Sequence, residues 1–412
     1  MTTLARAEET DRPKKTRRPW RRTKITLLVV VAVALVVAIV GSVTPWPSAL
    51  VIRSVFTQGG GATAAEMDKH VPDTELTETA DVAYGDGGVD ETMDVFTPAS
   101  ADGPLPTIVW VHGGAWISGS KENVDPYLRI LAAEGYTTIA VNYTIGPEAF
   151  YPTAVHQLNE ALGYIDEHAQ ELNVDASQIV LAGDSAGAQL ASQLATLITS
   201  SDYAELMDID PALSPDQVVA TVLNCGVYDL SALAELDGIL GWGFKSAMWA
   251  YSGTRTWAED STGATMSTID WATSDFPATY ISGGNGDGLT WLQSTPMAQR
   301  LDALGVDVTT LFWPAPHEPA LPHEYQFHLD MPDARTALGK TVDFLDAHTT
   351  HGRAPRRGRR GGGQVIVSRM PTRSSKVVSG FRIAKRVLGR PRCELGTTKA
   401  CCASSRRADQ RS

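Results

Sequence analysis

The ten residues LAGDSAGAQL, Leu181 to Leu190, decide how this chain is read. They set one serine, Ser185, among neighbours with almost no side chain: Gly183, Ala186, Gly187 and Ala188. Glycine gives up more conformational entropy on folding than any other residue, so the cluster implies a turn too tight for larger side chains. The flanks say what the turn joins. QIVLA (178–182) is an apolar run suited to a buried strand, and AQLASQLATLI (188–198) repeats its apolar residues at helical spacing. A serine in the pattern G-x-S-x-G between a strand and a helix has the form of a nucleophile elbow.

The rest of the chain alternates in the same way. ADVAYG (80–85) and TMDVFTP (92–98) have the look of edge strands joined by a Gly/Asp turn. TIVWVHG (107–113), TTIAVNY (137–143), QIVLAGD (178–184), VATVLNCG (219–226), ATYISGG (278–284) and VTTLFWP (308–314) suit buried strands. Helical patterns separate most of them, as in residues 151–172. This order predicts an α/β fold, one domain over residues 75–351 with a mainly parallel eight-stranded sheet flanked by helices. No internal repeat is visible.

Charge divides the 412 residues into three parts. Residues 1–24 carry nine Lys/Arg against three acids, residues 352–412 carry seventeen against two, and residues 25–351 carry nine against forty-two. The acidic body should repel nucleic acid and anionic surfaces, so no nucleic-acid partner is expected. The four cysteines form neither zinc-ligand spacing nor a disulfide framework: Cys225 stands alone in the body, and Cys393, Cys401 and Cys402 lie in the tail. The tail, 352–412, reads as a disordered basic extension.

The N-terminal end gives an address. Ile25 to Val43 is nineteen residues without a charge, behind the basic cluster RPKKTRRPWRRTK. As a helix it spans about 28 Å, near the hydrocarbon thickness of a bilayer. The reading is a cytoplasmic basic segment (1–24), a single-pass transmembrane helix (25–43) and the α/β body outside, at the cell membrane. A cleaved signal peptide and a secreted body is the rival reading. Residues 44–74 read as a short juxtamembrane helix, WPSALVIRSVF (46–56), followed by a flexible connector, QGGGATAA (58–65).

A second glycine motif carries the chemistry further. VHGGAW, Val111 to Trp116, closes the strand from Thr107, and its paired glycines let backbone N–H groups face a site with no Cβ in the way. Acyl transfer needs such donors at the oxygen that becomes negative. Gly113, Gly114 and the N–H of Ala186, directly after the serine, are the candidate oxyanion-hole donors.

HGGAW with GDSAG resembles the α/β-hydrolase superfamily, specifically the hormone-sensitive-lipase-like esterases and related acyl hydrolases. The resemblance covers about residues 75–348. It implies a Ser-His-Asp triad in which the acid and the histidine follow the serine on later loops. GGNGDGLT (283–290) places Asp287 where the family's G-x-x-D-x-L holds its carboxylate. Asp229 in VYDL also follows a strand and is the competitor, in what the family usually makes a structural setting. For the histidine, PAPHEPALPHEYQF offers His317 and His323. The distance from the last helical pattern favours His323, with an imidazole pKa near 6–7.

The expected reaction is hydrolysis of carboxylic esters with short to medium acyl chains through an acyl-enzyme on Ser185, with no metal or organic cofactor. The partner is then a small-molecule ester. Amide hydrolysis and carbohydrate deacetylation use the same machinery and stay open, as does an inactive binding protein of this fold. Residues 226–276, with Trp242, Trp249, Tyr251, Trp257 and Trp271, read either as a lid or acyl pocket or as ordinary core of an insertion. The oligomeric state is not legible.

Overall fold

A computed structural model describes residues 18–350. The basic tail with Cys393, Cys401 and Cys402, and the first seventeen residues, lie outside the described residues. Eight strands form one sheet: β1 (Leu76–Ala83), β2 (Thr92–Pro98), β3 (Leu105–Val111), β4 (Thr137–Val141), β5 (Val174–Asp184), β6 (Val218–Asn224), β7 (Ala278–Gly283) and β8 (Val308–Phe312). Their order is β1-β2-β4-β3-β5-β6-β7-β8. β2 runs antiparallel to β1 and β4, and every other pair is parallel. This is the expected α/β-hydrolase architecture.

The helices are α1 (Arg18–Val43), α2 (Trp46–Met67), α3 (Asp125–Ala133), α4 (Thr153–Glu167), α5 (Ala186–Thr199) and α6 (Ser201–Met207). After β6 follow α7 (Leu230–Ala234), α8 (Gly238–Ser252), α9 (Ser261–Met266) and α10 (Thr268–Trp271), then α11 (Thr295–Leu304) and α12 (Pro332–His348).

Strand side chains alternate between faces, so each central strand feeds two cores. Val109, Val111 and Leu181 pack with α4, α5 and α11 on one side. Ile108, Trp110, Val180 and Ala182 pack with α3 and α12 on the other. Burial on both faces is why these strands read as continuous apolar runs rather than alternating ones. β1 begins at Leu76, before the expected start, because this polar edge strand is largely exposed and carries no apolar alternation.

Helix α5 carries Ser185 at its start and is buried from Ala186 to Ile198. Its polar side chains are satisfied internally. Trp116 Nε1 donates to Gln189 Oε1 at 3.0 Å, and Gln193 Nε2 donates to the hydroxyls of Tyr151 and Tyr203, both at 2.7 Å. A paired buried polar network of this kind fixes one arrangement of the elements around it.

One expectation is corrected at the N-terminal end. The stretch 58–65, read as a flexible connector, is the second half of α2. Three consecutive glycines disfavour a helix in isolation, by roughly 1 kcal/mol each relative to alanine. Packing overrides that preference here: Ala49, Ile52 and Met67 are buried. Gly60 also comes so close to Asn123 that a Cβ there would meet its amide at 3.2 Å. Residues 46–67 are thus one docked helix. Before it, Thr23–Val43 of α1 is long and apolar enough to cross a membrane, and none of it is buried in the protein.

Candidate active site

The turn at Ser185 has the backbone that the opening motif implied. Ser185 sits at φ 51°, ψ −117°, a sparsely populated region for a residue with a Cβ. Its N–H donates to the carbonyl of Asn224 at 2.8 Å, which ties the turn to the end of β6. The flanking glycines are required by space rather than by their own backbone angles. A Cβ on Gly187 would collide with the carbonyl oxygen of Val111, and one on Gly183 would meet Gly187 at 2.5 Å.

Ser185, His323 and Asp287 come from three separate loops and meet in one line. His323 Nε2 lies 2.9 Å from Ser185 Oγ, and His323 Nδ1 lies 2.7 Å from Asp287 Oδ2. The other Asp287 oxygen accepts from the Leu289 N–H at 2.9 Å, which fixes the carboxylate plane. The competitors lie elsewhere. Asp229 caps α7, accepting from the Ala232 N–H at 3.0 Å. His317 pairs with Asp333 at 3.2 Å and packs on Trp313. Cys225 Sγ also lies near Asp287 and His323. Burial pushes its thiol well above the usual range, however, and both His323 nitrogens are already engaged with Ser185 and Asp287.

The glycine loop needs one correction. The Gly113 N–H, expected as an oxyanion donor, donates to Asp184 Oδ2 at 2.9 Å and is spent there. Trp110 Nε1 donates to the other Asp184 oxygen at 2.8 Å. Asp184 thereby clamps the loop to β5, and the glycine at 113 is needed because a Cβ would strike that carboxylate. Among the described residues, no acceptor lies within hydrogen-bond reach of the N–H groups of Gly114, Ala115 and Ala186. Gly114 and Ala115, at φ 109° and 54°, line the pocket. His112 serves the loop as well: it stacks on Tyr143, and burial lowers its pKa to about 4, so the ring stays neutral.

Sequence reasoning missed Glu324. It sits at φ 56° directly after His323, with Oε1 3.7 Å from His323 Nε2. Burial raises the Asp184 carboxyl well above the usual carboxylate range, and the facing Glu324 charge raises it further. Burial alone would lower the His323 pKa. The Asp287 hydrogen bond and the charges of Glu324, Asp287 and Asp184 outweigh it and push the ring up to about 9. The side chain is 36% exposed, so solvent screening places the working value between the unperturbed ~6.5 and that limit.

A prediction follows for Glu324→Gln. Removing a negative charge destabilises the imidazolium, lowers the His323 pKa and frees the base at lower pH. The rising limb of kcat/KM against pH should move down by about half a unit or more. An unmoved limb removes Glu324 from the site's electrostatics.

These groups open into a cavity of about 480 Å³ lined by Ser185, His323, Gly114, Val55, Phe56 and Phe244, among others. That is the size of a small-molecule site, and most of its wall is apolar. A larger cleft of about 630 Å³ between Ile198 and Pro215 holds no serine–histidine pair and lies away from this chemistry. Leu240 and Phe244 of α8 line the active cavity, so the insertion does contribute wall. Its five named aromatics do not: Trp257 and Tyr251 are core, and Trp242 is on the surface.

The BD-FAE family profile matches residues 93–301. The chain belongs to the BD-FAE family. The matched stretch spans the glycine loop, Ser185 and Asp287 and ends before His323. Esterase LipQ of Mycobacterium tuberculosis is 30% identical over 174 residues, 39% of this chain and 39% of that protein. The acetyl esterase of Salmonella typhi is 33% identical over 158 residues, 38% of this chain and 44% of that protein. The similarity thus spans less than half the length of these curated relatives. Among solved structures, esterase B from Lactobacillus rhamnosis superposes with a TM-score of 0.64 at 23% identity, over 74% of this chain and 95% of that one. Bacterial heroin esterase superposes at 0.57 and 24% identity, over 71% and 89%. At such identity the superpositions speak for the fold, which the BD-FAE family member shares with them.

Proposed function

We propose that this chain is a serine hydrolase of carboxylic esters with short to medium acyl chains, acting through Ser185, His323 and Asp287. The observation that carries the reading is the unbroken hydrogen-bond line from Ser185 Oγ to the Asp287 carboxylate at the floor of an apolar cavity. A serine hydroxyl is a weak nucleophile until a base takes its proton. Ser185 Oγ attacks the ester carbonyl as its proton passes to His323 Nε2, and Asp287 holds the Nδ1–H and stabilises the imidazolium. The oxyanion receives the N–H groups of Gly114, Ala115 and Ala186. His323 returns the proton to the departing alcohol. Water, deprotonated by the same ring, then releases the acid and restores the serine. The names of the relatives, acetyl esterase among them, support the substrate class.

The direct test is a fluorophosphonate probe on the full chain, followed by p-nitrophenyl esters from acetate to palmitate. Labelling at Ser185 with a maximum at short to medium chains is expected. A chain that takes no label is a binding protein of this fold.

The same reading places the body outside the cell, on a single-pass helix with its N-terminus inside. Support comes from nine basic residues ahead of the uncharged apolar span Ile25–Val43, within the helix segment Thr23–Val43 that is long enough to cross a membrane. Protease treatment of intact cells should remove the body. Recovery of free protein beginning after Val43 would instead mark a signal peptide.

A further inference from the structure

Outside α1, most of the large apolar side chains left in water among the described residues lie on α2 and α8, the two helices that contribute wall to the cavity. On α2, Trp46, Leu50, Val51, Val55 and Phe56 are 41–62% exposed. On α8, Ile239 is 82% exposed, Leu240 51% and Trp242 48%. Val55, Phe56 and Leu240 belong to both sets, lining the cavity while facing solvent. Exposed apolar surface gathered in this way marks a place of contact rather than chance.

Two observations name the partner. Charge is the first. Residues 25–351 carry forty-two acids, about one in eight, yet none falls in residues 44–65 or 238–258, which together are forty-three residues. Those two segments carry Lys245 and Arg255 instead, with Arg53 paired to Glu148 at 2.6 Å. Two segments free of carboxylates within so acidic a body lower the repulsion from the negative face of a bilayer, although Glu148 and Asp237 lie at their margins.

Position is the second. Only Thr44 and Pro45 separate α1 from α2, so α2 starts within about 11 Å of chain from the end of the apolar span. The α8 side is held at the same level: Arg255 donates to the Ser42 carbonyl, inside that span, at 2.9 Å and lies over the Trp249 ring.

We infer that the face built by α2 and α8 rests on the bilayer that α1 enters, and that the cavity receives the acyl chain of a lipid-borne ester from it. Val55, Phe56 and Leu240 form the rim through which the chain passes, while Ile239, Trp242 and Val51 sit among the lipid around it. Trp242 supplies the amphipathic ring favoured at such interfaces. The docking half rests on the proposed membrane anchor, because its position is set by where α1 enters the bilayer. The substrate half rests on the proposed esterase reading.

The experiment uses the full chain in vesicles of phosphatidylcholine and phosphatidylglycerol. Docking is read without catalysis, as quenching of tryptophan emission by dibrominated phosphatidylcholine. The quenched fraction should fall in Trp242→Phe, and an unchanged fraction overturns docking. Hydrolysis is then compared for p-nitrophenyl butyrate and for dioleoylglycerol carried in the vesicles. The variant Val51→Asp/Ile239→Asp should lose at least ten-fold on the vesicle substrate and keep its rate on the soluble one. Equal rates of the variant and the parent on both overturn the inference. A loss on both substrates marks misfolding, and Trp242→Phe quenching then decides. A parent that hydrolyses the butyrate but never the vesicle ester overturns the substrate half. One that hydrolyses neither overturns the esterase reading and leaves docking to the quenching result.

Discussion

Ser185→Ala is expected to lower ester turnover by on the order of a million-fold, with a melting temperature close to that of the parent. The size follows from what is lost. Without Oγ no acyl-enzyme forms, and His323 has nothing to deprotonate but water. The fold should not notice, because Ser185 Oγ meets only the His323 ring and the elbow is tied by backbone, through the Asn224 carbonyl. Turnover of p-nitrophenyl butyrate measures the effect. A variant keeping even about a tenth of the parental rate moves the nucleophile elsewhere.

His323→Ala should fall nearly as far. Members of such a triad act as a unit, so losing the base costs about as much as losing the nucleophile. His317→Ala is the contrast. That ring sits on Trp313 and against Asp333, and its own carbonyl accepts from Asn285 Nδ2 at 2.8 Å. It therefore supports the loop and never faces the serine, and its variant should keep most of the parental turnover. If the two results come out reversed, the base is His317, and the 2.9 Å contact between His323 and Ser185 has no catalytic meaning.

Much of this arrangement was readable in the chain because local and global preferences agree there. The strand runs around Val109, Leu181 and Val222 are apolar on both sides because both sheet faces are covered, and the elbow shows as small residues wherever backbones touch. The parts that were not readable are those where distant packing decides. No local signal says that Gly59–Gly61 belong to a helix. It forms because its neighbours Ile52 and Met67 find a core to enter. The glycine pair in HGGAW gives space for donors but not their assignment, which depends on Asp184 reaching across from β5 to take the Gly113 N–H. Nothing in the sequence sets Glu324 apart from the other acids of the body. Only the left-handed turn that follows His323 aims it at the imidazole.

The backbone at Ser185 carries a further consequence, for how such a chain changes over generations. A side-chain-bearing residue held at φ 51° stores on the order of 1–3 kcal/mol of strain, and a glycine there stores little. Ser185→Gly should therefore unfold at a higher temperature than the parent while hydrolysing nothing. Mutational drift toward stability and selection for activity pull this one codon in opposite directions. Where selection on hydrolysis lapses, the serine is the residue whose loss meets the least structural resistance, and inactive descendants would keep the sheet, the clamp at Asp184 and the α2 wall intact.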